Sequence, residues 1–269
     1  MRHQQETDMS LKNRVAIVTG STSGIGLGIA EALAAEGANI LLNGFGDAGE
    51  IEALRASLAA KHGVKVAYSG ADMSKPEEIA GLVASANAEL GGVHILINNA
   101  GIQYTALIED FPNQKWDAII AINLSAAFHA MQSAIPLMKA AGWGRIINIA
   151  SAHGLVGSPQ KSAYVAAKHG IVGLTKVAGL ELANSGITAN AICPGWVLTP
   201  LVQKQIDDRA AKEGRSVDDV RTELLSEKQA MHQFSTPEQI GALTVFLCSD
   251  AARTTTGTTH SIDGGWTAE

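Results

Sequence analysis

Only two cysteines, Cys193 and Cys248, occur in the 269-residue chain. They are too far apart in sequence for a CxxC metal or redox pair and too few for a disulfide framework. Charge is also scarce, at 17% of residues against about 25% in an ordinary soluble domain. It sums to −6, so the basic face that a nucleic-acid backbone requires is missing. No metal and no nucleic-acid partner is expected. Nor does any stretch approach the roughly 18 uninterrupted apolar residues of a membrane-spanning helix. Residues 1–10 include Arg2, Glu6 and Asp8 and have no apolar core of the kind a secretory signal carries. They read as a disordered leader, and the expected setting is the cytoplasm, away from membranes.

What the chain does have is 46% hydrophobic residues and 28 glycines, which supports a large buried core and excludes disorder as a description of the whole. Short apolar runs rich in β-branched residues recur at 14–19 (RVAIVT), 39–43 (NILLN), 64–68, 94–98 (HILIN), 144–150 (GRIINIA), 187–192 (ITANAI) and 259–262. Helical patterns fall between them, at 26–35, 48–61 and 76–90, the last with Ser74 as its N-cap and Pro76 in its first turn. Runs without strict alternation are strands covered on both faces, and the strand–helix alternation makes the sheet parallel. The predicted architecture is a single α/β domain over 11–269, a doubly wound parallel sheet. Residues 200–230 hold 13 of the 46 charged residues, six basic and seven acidic. This charged helical stretch is either a solvated surface pair or, because it follows a strand end at Cys193-Pro194-Gly195, a substrate lid over 197–233.

Thr19-Gly20-Ser21-Thr22-Ser23-Gly24-Ile25-Gly26 lies between the first strand and the first helix, where backbone N–H groups and a helix N-terminus favour a pyrophosphate. The second strand end, Leu42-Asn43-Gly44-Phe45-Gly46, offers neither the acidic residue that usually bonds a ribose hydroxyl nor an Arg for a 2′-phosphate; the next Arg is Arg55, inside the following helix. NAD is therefore the expected cofactor. Asp72 and Met73 after the third strand are placed beside its adenine, and Asn98-Asn99-Ala100-Gly101 ends the fourth strand.

Tyr164 and Lys168 stand at i and i+4 in SAYVAAKHG and share a helix face. A cation beside a phenol favours the phenolate and makes a usable general base. Ser151 closes the GRIINIAS strand, and Asn123 lies in INLS. Taken together, TGSTSGIG, NNAG, Asn123, the Ser151/Tyr164/Lys168 set and Pro194-Gly195 resemble the short-chain dehydrogenase/reductase family, in its order and over nearly the whole chain from about residue 11.

That resemblance implies a seven-stranded Rossmann-type sheet and a homotetramer. It makes Tyr164 the acid/base, Ser151 the partner of the substrate oxygen, Lys168 a ribose ligand that tunes Tyr164, and Asn123 part of a proton relay. The cofactor set it implies is Gly20, Thr22, Ser23, Gly24, Ile25, Gly26, Phe45, Asp72, Met73, Asn99, Ala100, Gly101, Tyr164, Lys168, Pro194, Gly195, Val197 and Thr199. Around the catalytic set, Gln103, His153, Lys161 and Gln205 offer a cation and several hydrogen-bond donors, which suits a small carboxylate. The fuller likeness of NNAGIQYTALIEDFP, IASAHGLVGSPQKSAYVAAKHG, NAICPGWVLTPLVQKQI and SIDGGWTAE within the family implies that these four grip the carboxylate of a small hydroxy acid, that Ser151 and Tyr164 meet its hydroxyl, and that Trp196 and Trp266 line an apolar side. Alternatives are a 3-oxoacyl-carrier-protein reductase, another short-chain alcohol or sugar dehydrogenase, and a non-catalytic NAD-binding scaffold.

Overall fold

Val15–Val18 form β1 with every side chain buried, and alternate residues point to opposite faces. Ala16 and Val18 pack with Ile29 and Leu33 of α1 (Gly24–Ala35) and Ile240 and Leu247 of α9 (Pro237–Cys248). Val15 and Ile17 pack instead with Ile79 and Leu82 of α3 (Pro76–Leu90) and Ala130 and Met131 of α5 (Ala126–Ala141). Two apolar layers thus sandwich the strand, which is why it reads as a continuous apolar run. The computed structural model describes residues 11–268, and the expected leader, residues 1–10, lies outside them.

The remaining strands are β2 (Asn39–Asn43), β3 (Val66–Ser69), β4 (Ile95–Asn98), β5 (Gly144–Ile149), β6 (Ile187–Pro194) and β7 (Thr259–Ile262). All pairings are parallel, in the order β3-β2-β1-β4-β5-β6-β7. The order reverses between β1 and β4, so a crevice opens there beyond the carboxyl ends of the strands, where ligands of such sheets bind. The doubly wound parallel sheet expected from the sequence is the observed fold.

Local signals set the helix ends. Asp47 caps α2 (Ala48–His62) by accepting from the Gly49 and Glu50 N–H groups. Thr236 and Gln239 form a reciprocal capping box on α9. The expected Ser74 cap is not made: Lys75 occupies that position, and the Ser74 hydroxyl donates to the Asp72 carboxylate at 2.8 Å. That local bond competes with capping because Asp72 is only two residues away.

Helix α4 (Asn113–Ile120), a π turn over Ala121–Ser125 and α5 run on continuously. This 29-residue stretch has the length and composition of a membrane span, which Lys115, Asp117, His129 and Lys139 hide from a search for uninterrupted apolar runs. Ala126, Ala130, Ala134 and Met138 bury its inner face in the sheet layer, as in a core helix.

Between β6 and α9 stand α7 (Pro200–Glu213) and α8 (Val217–Ser226). Ile206, Ala210 and Val220 give this pair an apolar cluster of its own, separate from the sheet layers. Arg209 and Arg215 on or beside α7 both pair with Glu223 of α8 and with Glu213. Exposed pairs of this kind add little stability one by one, but the shared network holds the two helices as one unit. The helix between β5 and β6, α6 (Ser162–Glu181), carries the Tyr164/Lys168 pair.

Candidate active site

A cavity of about 860 Å³ opens at the carboxyl ends of β1, β4, β5 and β6. The turn after β1 forms one end. Gly20 and Gly24 take left-handed φ values of 61° and 58°, and a side chain on Gly26 would strike the Gly20 carbonyl oxygen at 2.3 Å and Asn99 Nδ2 at 2.5 Å. Only glycine fits there, because Asn99 reaches back from the end of β4 and donates to the Thr19 and Gly20 carbonyls at 2.9 Å each. Ser23, the N-cap of α1, makes no side-chain cap bond. The first N–H groups of that helix therefore face the cavity without a protein acceptor from the cap, and this glycine cradle fits the pyrophosphate of a nicotinamide dinucleotide.

The far end holds the proton-transfer residues. Lys168 is buried, its Nζ donates to the Ile149 carbonyl at 2.6 Å and it lies 5.6 Å from the centre of the Tyr164 ring. Burial lowers Lys168 to about 8, so the amine remains mostly protonated near neutral pH. Burial also pushes the Tyr164 phenol up, hydrogen bonding with Ser151 working in the opposite direction. The lowering expected from Lys168 is not seen in the protein alone, where desolvation penalises the phenolate and only the Ser151 hydrogen bond opposes it.

From Tyr164 a chain of ring contacts follows the wall. The rings of Tyr164 and His153 meet edge-on at 6.0 Å, those of His153 and Trp266 at 4.9 Å, and Trp266 stacks on Trp196 at 6.1 Å. Lys161 Nζ lies 5.9 Å over the Trp196 ring. Gln103 and Gln205 also line the cavity. All four residues expected to grip a carboxylate therefore line one cavity with Ser151 and Tyr164, although they come from three separate segments.

His153 is buried, and desolvation together with the charges of Lys161 and Lys228 takes it from near 6.5 down to about 4. The folded protein keeps this imidazole neutral while the unfolded chain protonates it below pH 6.5, so stability is present above that pH and lost as pH falls toward 4. The loss amounts to about 3 kcal/mol. Urea unfolding at pH 7 and pH 4 should therefore show the wild type losing more stability than His153→Gln. Equal losses would overturn the assignment.

Five expected residues do not line the cavity. Thr22 bonds the Phe45 carbonyl at 3.3 Å, and Phe45 itself is exposed, on the rim beyond β2. Asp72 accepts from the Ser74 N–H and hydroxyl. Met73 is buried among Ile79, Leu82 and Val83. The Asn123 side chain exchanges two 2.9 Å bonds with the backbone of Ile102, accepting its N–H and donating to its carbonyl. Asn123 instead fixes Ile102, which does line the cavity. Gly20, Ser23, Gly24, Ile25, Gly26, Asn99, Ala100, Gly101, Pro194, Gly195, Val197 and Thr199 all line the cavity. The structure adds Tyr104, Thr105, Leu201 and Val202 to the lining; Lys228 is not part of that lining, but its charge lowers both His153 and Lys161.

The chain has clear relatives. A family model described as enoyl-(acyl carrier protein) reductase matches residues 20–267. D-beta-hydroxybutyrate dehydrogenase of Cupriavidus necator is 62% identical over 260 residues, covering 96% of this chain and 100% of that protein. The protein of the same name from Rhizobium meliloti is 55% identical over 256 residues, covering 95% and 99%. Among solved structures, L-sorbose reductase from Gluconobacter frateurii, complexed with NADPH and L-sorbose, matches with a TM-score of 0.93 at 31% identity, over 97% of this chain and 99% of that one.

Proposed function

The chain belongs to the short-chain dehydrogenase/reductase family, and from that premise we propose that it catalyses the reversible NAD-dependent oxidation of D-3-hydroxybutyrate to acetoacetate. The carrying observation is the meeting of Lys161, His153, Gln103 and Gln205 with Ser151 and Tyr164 in one cavity, which provides for a carboxylate and a nearby hydroxyl at once. The names of the two bacterial dehydrogenases support the same substrate.

A nicotinamide dinucleotide, when bound, supplies the hydride acceptor, and the glycine turn, Asn99 and the start of α1 would hold its phosphates. The protein's own residues do the rest. Lys161 and the glutamines fix the carboxylate, so that one face of C3 is presented. The Ser151 hydroxyl donates to the reacting oxygen, and Tyr164 Oη, as phenolate, takes the hydroxyl proton. The Lys168 charge favours that phenolate. Trp196, Trp266 and the α7–α8 pair, acting as a lid, shield the site from water.

The end of β2 supports NAD over NADP. Asn43 Oδ1 accepts the Gly20 N–H, and its Nδ2 donates to the Ser69 and Ala71 carbonyls. Asp47 is taken by the α2 cap, and Arg55 by Glu52 and the Val66 carbonyl. None of these offers a cation for a 2′-phosphate. Exposed Phe128, Val177, Leu180 and Phe246 on α5, α6 and α9 support a homotetramer, which light scattering would measure, and two buried free thiols suit the cytoplasm.

The test follows NADH formation with D- and L-3-hydroxybutyrate, longer 3-hydroxy acids and sugar alcohols. Turnover of the D four-carbon acid, with NAD preferred over NADP by kcat/KM, is expected. Turnover of sugars or longer acids alone would overturn the substrate, and a preference for NADP would overturn the cofactor.

A further inference from the structure

Gln229, three residues beyond the end of α8, is buried and does not line the cavity. Its Oε1 accepts the Trp196 N–H at 2.8 Å, while Nε2 donates to the carbonyls of Met231 and Gln233 at 3.3 and 3.0 Å. Its own N–H donates to the Leu225 carbonyl in the last turn of α8 at 2.8 Å. One amide therefore joins the helical pair to the strand end that carries Trp196.

The C-terminal loop closes on the same amide. A side chain on Gly195 would come within 2.9 Å of Gln229 Oε1, and one on Gly264 within 2.6 Å of Nε2. The Met231 N–H donates to the Gly264 carbonyl at 2.8 Å, and the Trp266 N–H to the Asp263 carbonyl at 3.2 Å. Three segments far apart in sequence thus meet on Gln229, and two of them bear the stacked pair Trp196 and Trp266. Trp266 in turn contacts His153.

We propose that Gln229 is a positioning residue that couples α7–α8 to the Trp196/Trp266 wall, so that the seating of the helical pair determines how well the carboxylate pocket is formed. The proposal rests on reading the cavity as a hydroxy-acid site. The chemistry of the amide matters: the site needs one acceptor toward Trp196 and donors toward two carbonyls, and only a primary amide of this length offers both. A carboxylate of the same shape would keep the first bond and face both carbonyls with lone pairs, leaving their hydrogen-bonding needs unmet.

The test is Gln229→Glu. The variant should raise KM for D-3-hydroxybutyrate about tenfold, keep kcat within about threefold and leave the Kd for NADH within about twofold. A merely structural role would lower Tm without this split. A KM equal to the wild type in a folded variant overturns the proposal. Acrylamide quenching of tryptophan fluorescence needs no substrate, so it separates this inference from the functional one. It should rise about twofold in the variant, and unchanged quenching overturns the coupling whatever the substrate proves to be. Should the variant fail to fold, hydrogen exchange on the ligand-free wild type decides. The amides of Trp196 and Met231 should open together with those of α7–α8, and helices that open while both amides stay protected overturn the proposal.

Discussion

Tyr164→Phe is expected to lower kcat for the hydroxy acid by about 10³-fold or more, while NADH binds with a Kd within about twofold of the wild type. The substitution removes one oxygen and keeps the ring. The edge contact with His153 and the lysine lying 5.6 Å from the ring centre both survive, so the wall keeps its shape. What disappears is the group that receives the substrate proton, and no other side chain in the cavity can replace it. His153 is neutral, but its ring stands between Trp266 and Tyr164, with Nδ1 directed at Ser151 3.5 Å away. Lys168 is engaged by Ile149. Burial raises the Tyr164 phenol, so in the wild type the phenolate population and the oxidation rate should climb with pH, a limb that Tyr164→Phe should lack. Stopped-flow and steady-state rates in NADH absorbance, with fluorescence titration for binding, check both halves. A variant that keeps a tenth of its kcat would remove Tyr164 from proton transfer.

Features tied to neighbouring residues were legible in the sequence. The limits of β2 and α3 fall where the apolar run and the proline put them, and the glycine turn and the Tyr164/Lys168 pair need only local spacing. Position along the chain does not give direction, however. Met73 and Asp72 do follow β3 at the ligand end of the sheet, yet the Met73 side chain turns into the core and the Asp72 carboxylate curls onto Ser74. Asn123 lies near the cavity, but a backbone partner 21 residues away takes its amide. The charged stretch at 200–230 left two readings open, and its ion pairs and private apolar cluster suit a solvated pair and a lid equally, since a lid must hold together while detached from the sheet. Lys228 and Gln229 gave no signal at all: a Lys and a Gln at the end of a charged run look like solvent-facing residues until the fold brings the Trp196 backbone and Gly264 against Gln229 and sets the Lys228 charge near His153 and Lys161.

Replacing Lys161 with Met is expected to raise KM for D-3-hydroxybutyrate about 100-fold, with the Kd for NADH unchanged within about twofold. Lys161 stands at the N-cap of α6, delivered there by Gln160, whose backbone takes a left-handed φ of 64°. Burial and the nearby charge of Lys228 both lower its pKa, and it makes no ion pair among the described residues, only the ring contact with Trp196. A half-buried cation facing a second cation is costly to hold without an anion. The cost is offset when a carboxylate binds, so the charge acts on ligand affinity and not on the fold. Losing one partner of a desolvated charge pair typically costs about 2–5 kcal/mol, and each 1.4 kcal/mol is tenfold in affinity, which sets the expected scale. Two further results distinguish this role from a general disturbance. The ligand-free variant should melt no lower than the wild type, because the methionine keeps the aliphatic stem against Trp196 and gives up only the desolvated charge. The kcat/KM for an uncharged secondary alcohol of the same length should change by no more than about threefold. An unchanged KM for the acid, or an equal loss with the alcohol, would take Lys161 out of carboxylate recognition and leave Gln103 and Gln205 to orient the substrate.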